Sequence, residues 1–223
     1  MSGCARRRAA VALRCCALLL GPCACSVGQG SGFVHSDNLI VNDCYEGEFN
    51  LRPDFFAANP FEDTLTIRVQ RGEQDIQVSD GFTLLVNDVP SIRRDMMGLD
   101  LPLGLPVGVS PLGFPVPDLP SPPVASLSLY LNSSCRSQNS LLMSYEGNVN
   151  FTYLFSGDPN EDNSENRRTV GTLSAWVIDP REATPRVAAD TGPSFEFPRS
   201  RSSFIEASFS FVFHRGTPAQ PFP

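Results

Sequence analysis

The chain has 223 residues, 41% apolar and 18% charged, with a formal charge of −7. That composition belongs to a globular protein of one or two domains and excludes a disordered or collagen-like chain. All 17 basic residues are Arg, and the acid surplus speaks against nucleic acid or anionic headgroups as partners reached by charge alone.

The amino-terminal stretch MSGCARRRAAVALRCCALLLGPCAC divides as an export signal does. Arg6, Arg7, Arg8 and Arg14 supply a positive region, Cys15 to Leu20 a short apolar run, and small residues follow. The run is far shorter than the roughly 20 residues a spanning helix needs. Residues 1–24 are therefore expected to be a signal peptide. The Arg6-Arg7 pair raises the twin-arginine route, but the residues after it lack the usual apolar pattern, which favours the general route.

At the end of this stretch, Leu20-Gly21-Pro22-Cys23-Ala24-Cys25-Ser26 resembles the lipobox of bacterial envelope lipoproteins. In that motif a Leu and two small residues precede a Cys that becomes diacylated. The resemblance implies a lipid anchor on Cys25, which follows Ala24. Cys23 is the alternative register, with Leu20 well placed but Pro22 at the scissile bond. An ordinary secretory cut nearby is the alternative to both. Ser26 in place of Asp is similar to outer-membrane sorting signals, so the expected location is the cell envelope at the outer membrane. Residues 25–32, rich in Gly and Ser, read as a flexible tether.

Two of the seven Cys remain beyond the leader, Cys44 and Cys135. An even pair in an exported body predicts a disulfide, closing a loop of about 90 residues and contributing on the order of 4 kcal/mol in the chain-entropy model. Two buried thiols are the alternative.

Beyond residue 33 the periodicity is two. Leu65, Ile67 and Val69 alternate with Thr64, Thr66, Arg68 and Gln70; Leu127, Leu129 and Leu131 alternate with Ser126, Ser128 and Tyr130. The same pattern runs through Val149 to Phe155, Leu173 to Val177 and Ile205 to Phe213, predicting strands with one buried and one wet face. Shorter strand candidates lie at 39–41, 48–51, 76–78, 82–86 and 141–145. The best helix candidate is a single turn around 54–58. These elements predict an all-β fold, an antiparallel β-sandwich of about nine or ten strands with a barrel as the alternative, in one domain over 33–223.

Residues 99–124 hold eight Pro and three Gly, yet Leu99, Leu101, Leu103, Leu105, Val107 and Val109 occupy every odd position from 99 to 109, and after Pro111 the phase shifts to Leu112, Phe114 and Val116. Pro cannot donate to a ladder, so an extended arm over the sandwich is expected rather than a central strand. It should bury Leu101, Leu105, Val109 and Phe114. Separately, Tyr45-Glu46-Gly47-Glu48-Phe49-Asn50-Leu51 is echoed by Tyr145-Glu146-Gly147-Asn148-Val149-Asn150-Phe151, each followed by a later Thr-Leu. Two related hairpins or coincidence would both account for it.

Catalytic motifs are absent: no nucleophile elbow, phosphate loop or HExxH occurs. His35 sits near the tether and His214 after the last strand, both placed as surface residues. One loop, Asp158 to Glu165, repeats oxygen-bearing side chains at alternate positions, so Asp158, Asn160 and Asp162 form a candidate Ca²⁺ site. A solvated hairpin tip is the better expectation for it, because Asn163 and Thr169 replace the Gly and Glu of an EF-hand loop.

Taken together, a non-enzymatic, lipid-anchored envelope protein is expected, whose β domain binds or scaffolds an envelope protein or polysaccharide. An exported carbohydrate-binding or calcium-linked adhesion module is the alternative, and a secreted hydrolase comes third. Trp176 falls on the polar phase of its strand, where an aromatic binding platform would show.

Overall fold

The computed structural model describes residues 28–72, 75–106, 123–135, 140–158, 160–188 and 192–213. Its strands are β1 (Gln29–Val41), β2 (Tyr45–Leu51), β3 (Phe55–Phe61), β4 (Thr64–Arg71), β5 (Asp80–Val86) and β6 (Asp100–Gly104). The second half adds β7 (Ala125–Leu131), β8 (Leu141–Tyr153), β9 (Arg168–Ile178), β10 (Thr184–Ala188), β11 (Gly192–Glu196) and β12 (Ser202–Val212). Ten of them form one sheet in the order β2-β1-β12-β9-β8-β6-β7-β5-β4-β3, while β10 and β11 pair apart from it. The ladders are antiparallel except for β6 against β7.

Alternation drives this architecture. Leu65, Ile67 and Val69 on β4, Leu127, Leu129 and Leu131 on β7, and Ile205, Phe209 and Phe211 on β12 all turn to the same core. The sheet folds over on itself to enclose them. Phe82 on β5 and Phe209 on β12 have ring centroids 5.9 Å apart, although four strands separate them in the sheet. Phe56 on β3 stacks on Phe211 at 5.5 Å. The all-β fold thus has two layers made from one sheet. An isolated bridge from Gly28 to Phe56 brings the start of β1 against β3, and among the described residues no continuous ladder closes a barrel.

Cys44, in the β1–β2 turn, is bonded to Cys135 after β7, with Cα atoms 5.8 Å apart. Asp80 builds the turn that presents Cys135, since its carboxylate accepts from Ser133 N, Ser134 N and Ser134 Oγ at 2.9, 3.0 and 2.6 Å.

Several expectations are corrected. Residues 54–58 are no helix: Phe55 to Ala58 are buried, and they pair with β4 as a strand. The helix lies elsewhere, as α1 (Val89–Ser91) running into a π turn (Ile92–Met96). Asp88 caps it by accepting from Ser91 N, and Val89 and Ile92 are buried, too short a pattern to show a period. Residues 76–78 form a 3-10 turn capped by Asp75. Within the expected tether, β1 already begins at Gln29. Gly30 lets it approach β12, since a Cβ there would stand 2.3 Å from Ser210 O.

The arm is also different. Residues 100–104 enter the sheet as β6, wedged between β8 and β7, despite Pro102. Its ladders are short, Asp100 to Pro102 on β8 and Leu103 to Gly104 on β7, so one missing donor is tolerated where those strands diverge. Leu101 and Leu103 are buried, Leu99 is exposed and Leu105 half-buried. Val109 and Phe114 lie outside the described residues.

The echoed segments are β2 and the middle of β8. They share a burial pattern, and Gly47 and Gly147 both take positive φ, 141° and 153°. The surroundings differ, because β8 pairs with the strand holding Thr172-Leu173 whereas β2 does not pair with the one holding Thr64-Leu65. The echo is a shared local conformation and not a repeated unit.

Candidate functional site

β1 and β12 pair from Gln29–Val212 to His35–Glu206, and there the backbone ladder stops. Beyond that point β1 carries a bulge, with its register against β2 shifting between Ser36 and Leu39. The fork is held by two hydroxyls. Ser36 Oγ donates to Phe204 O at 2.7 Å, and Ser203 Oγ accepts from Ile40 N at 2.8 Å. The bulge turns Asp37 and Asn38 out to solvent.

Over the fork lies a cleft of about 270 Å³, lined by residues 35–38 of β1, Trp176, Arg199, Ser202, Phe204 and Glu206. Phe204 and Trp176 are register partners on the outer face of β12 and β9, with ring centroids 5.3 Å apart. Phe204 is 41% exposed. Arg199 closes the far side, its Cζ 4.1 Å from the Trp176 centroid and 5.3 Å from that of Tyr145. The guanidinium also pairs with Glu146. Tyr145 stacks in turn on Phe197 at 4.7 Å. A second cleft of about 670 Å³ lies beside the first, between residues 30–35 of β1 and residues 50–53, and His35 lines both.

His35 faces acceptors on both ring nitrogens: Nδ1 is 2.8 Å from Asn50 Oδ1 and Nε2 is 3.1 Å from Asp37 Oδ1. These hydrogen bonds, the Asn50 one foremost, raise its pKa above the usual histidine value. The imidazolium is thereby favoured. Nearby hydroxyls are engaged: Ser202 Oγ donates to Pro198 O at 2.9 Å and lies 3.1 Å from Tyr145 Oη.

The residues singled out from the sequence fall in several places. Cys23 and Cys25 lie outside the described residues, as does His214. Cys44 and Cys135 are joined, but away from the fork. In the acidic loop, Asp158 Oδ1 accepts from Asn160 N at 2.8 Å, an Asx turn within the chain. Among the described residues, no three His, Cys, Asp or Glu side chains converge as a metal site. Trp176 is on the outer face, as its phase required, and half-buried.

Sequence reasoning missed Phe204, Arg199 and the bulged Asp37-Asn38, and it left His35 as surface. One signal was present: Phe204 occupies the polar phase of β12, in step with Trp176 on β9. Nothing in sequence announced that Arg199 would fold back onto them. No protein-family model, curated protein or solved structure matches this chain.

Proposed function

We propose that this protein is an exported, lipid-anchored envelope protein whose β domain binds another envelope component at the fork cleft. One observation carries the binding reading: two outward aromatic rings stand beside convergent polar side chains where β1 separates from β12. The leader supports export and acylation at Cys25 or Cys23. The Cys44–Cys135 bond suits an oxidising compartment. No helix among the described residues is long and apolar enough to cross a membrane, so attachment through a lipid is consistent with the chain.

The test has two arms. Radiolabelled palmitate should be incorporated by the wild type and lost from the Cys23→Ser/Cys25→Ser protein; labelling that survives removes the anchor. The unlipidated double variant should cosediment with envelope fragments, and Phe204→Ala should release it.

A secreted hydrolase is the second reading, favoured by His35, Asp37 and Glu206 lining one cleft. Against it, both ring nitrogens of His35 are already taken up by Asn50 and Asp37, and the Ser36 hydroxyl already donates to a backbone carbonyl. Release of reducing ends from envelope polysaccharide, abolished by Glu206→Gln, would favour the hydrolase over the binder.

A further inference from the structure

Resting on the binding reading, the composition of the cleft selects among ligand chemistries. We propose that the fork takes an uncharged, hydroxyl-rich saccharide chain, with one ring against Phe204 and the edge of Trp176. A pyranose presents C–H groups on its faces and hydroxyls, each donor and acceptor, at its rim. The cleft has the matching parts: apolar ring surface from Phe204 and Trp176, acceptors on Asp37 and Glu206, the amide of Asn38, and donors on Arg199.

Other ligand classes fit worse. A cation would seek the face of Trp176, which already lies under Arg199 at 4.1 Å. An anion would meet Asp37 and Glu206 in the cleft, and Glu146 already neutralises Arg199. An alkyl chain would strip water from the same charged groups with nothing to replace it.

The ligand is a chain and not a single ring, because the second cleft continues the first across His35. It offers another aromatic, Phe33, 48% exposed. Phe33, on the neighbouring strand, lies opposite Ser208, four residues from Phe204 along β12, an offset of about 13 Å along the strand direction. Several sugar units span that distance; one does not.

Trp176 is the only Trp in the chain, so its fluorescence reports on this cleft alone. The probes are neutral hexasaccharides of glucose, N-acetylglucosamine, mannose and xylose, with their disaccharides, and hexagalacturonate as the anionic counterpart. At least one neutral hexasaccharide should shift the emission saturably and bind at least tenfold tighter than its disaccharide. Phe204→Ala and Glu206→Gln should each raise its Kd at least tenfold, and Phe33→Ala should erase the advantage of length, all with unchanged near-ultraviolet circular dichroism. No response to any neutral probe, preference for hexagalacturonate, or an unchanged Kd in both cleft variants overturns the proposal. Cosedimentation with envelope fragments separates the two failures. Retention without any sugar response overturns the saccharide assignment alone, and loss of both overturns the binding reading as well.

Discussion

The outer face of the sheet behaves in opposite ways at its two ends. Over β1, β12 and β9 it is open, with Phe204 half in water and charged side chains around it. Over β3, β4, β5 and β7 part of it is buried, at Phe55, Arg68, Gln70 and Tyr130, while Thr66, Thr83 and Leu85 are half-buried. There the register places Phe55, Gln70, Gly81 and Tyr130 in one row across the four strands. Gly81 leaves the gap through which Tyr130 Oη donates to Gln70 Oε1 at 2.6 Å. Arg68, one row away, is only 4% exposed. Burial pushes the Tyr130 phenol well above its ordinary pKa, so it stays a neutral donor. The difference teaches that alternation assigns a side chain to a face without saying whether that face meets water.

The strongest way to break this contrast is to fill the gap in the buried row. A Cβ on Gly81 would stand 2.4 Å from Val69 O and 2.5 Å from Gln70 Cα, and both are backbone atoms that cannot step aside. Gly81→Val is expected to prevent cooperative folding, read as loss of the thermal transition. The disulfide comes next, because it ties the hairpin beside the fork to the turn that follows β7. Cys44→Ala/Cys135→Ala should cost about 2–5 kcal/mol in denaturant unfolding. An unchanged midpoint would mean the two ends are held together without it.

Smaller effects sharpen the comparison. Tyr130→Phe removes a buried donor from Gln70 and should cost about 1–3 kcal/mol. Phe204→Ala, at the open end, should stay within about 1 kcal/mol, since an exposed ring forfeits little burial. Equal losses for these two would erase the distinction between the faces.

The smallest effect is a pH dependence at His35. Its pKa is raised in the folded protein by Asn50 and then Asp37, while Glu48 adds attraction and Glu206 sits opposite on β12. A raised value means the contribution is fully present below the unfolded pKa of about 6.5 and is lost as pH rises through the folded value. The melting temperature of wild type relative to His35→Gln should therefore fall across that window, and a flat difference would remove the imidazolium from the account.

How much was legible follows from which interactions are local. The strands at β4, β7, β8, β9 and β12 show in the sequence because period-two alternation is a property of consecutive residues. The outward phase of Trp176 comes from the same source. Bonding of Cys44 to Cys135 followed from there being two Cys in the body, an argument of parity that needs no coordinates. β6 was missed because Pro102 forbids a donor only where a partner asks for one, and the divergence of β7 from β8 decides that. The fork was missed because a bulge and two hydroxyl bridges, at Ser36 and Ser203, depend on where β12 lies beside β1. Arg68 and Gln70 read as wet and are buried, since cover is a property of the whole fold. Arg199 reaches Trp176 from a turn whose path no periodicity encodes. The sequence by itself determined the β class, the phase of each long strand and the disulfide pair, all set by neighbours along the chain or by counting. Only the tertiary structure decided which outer face stays open, because that depends on which distant strands and loops pack against it.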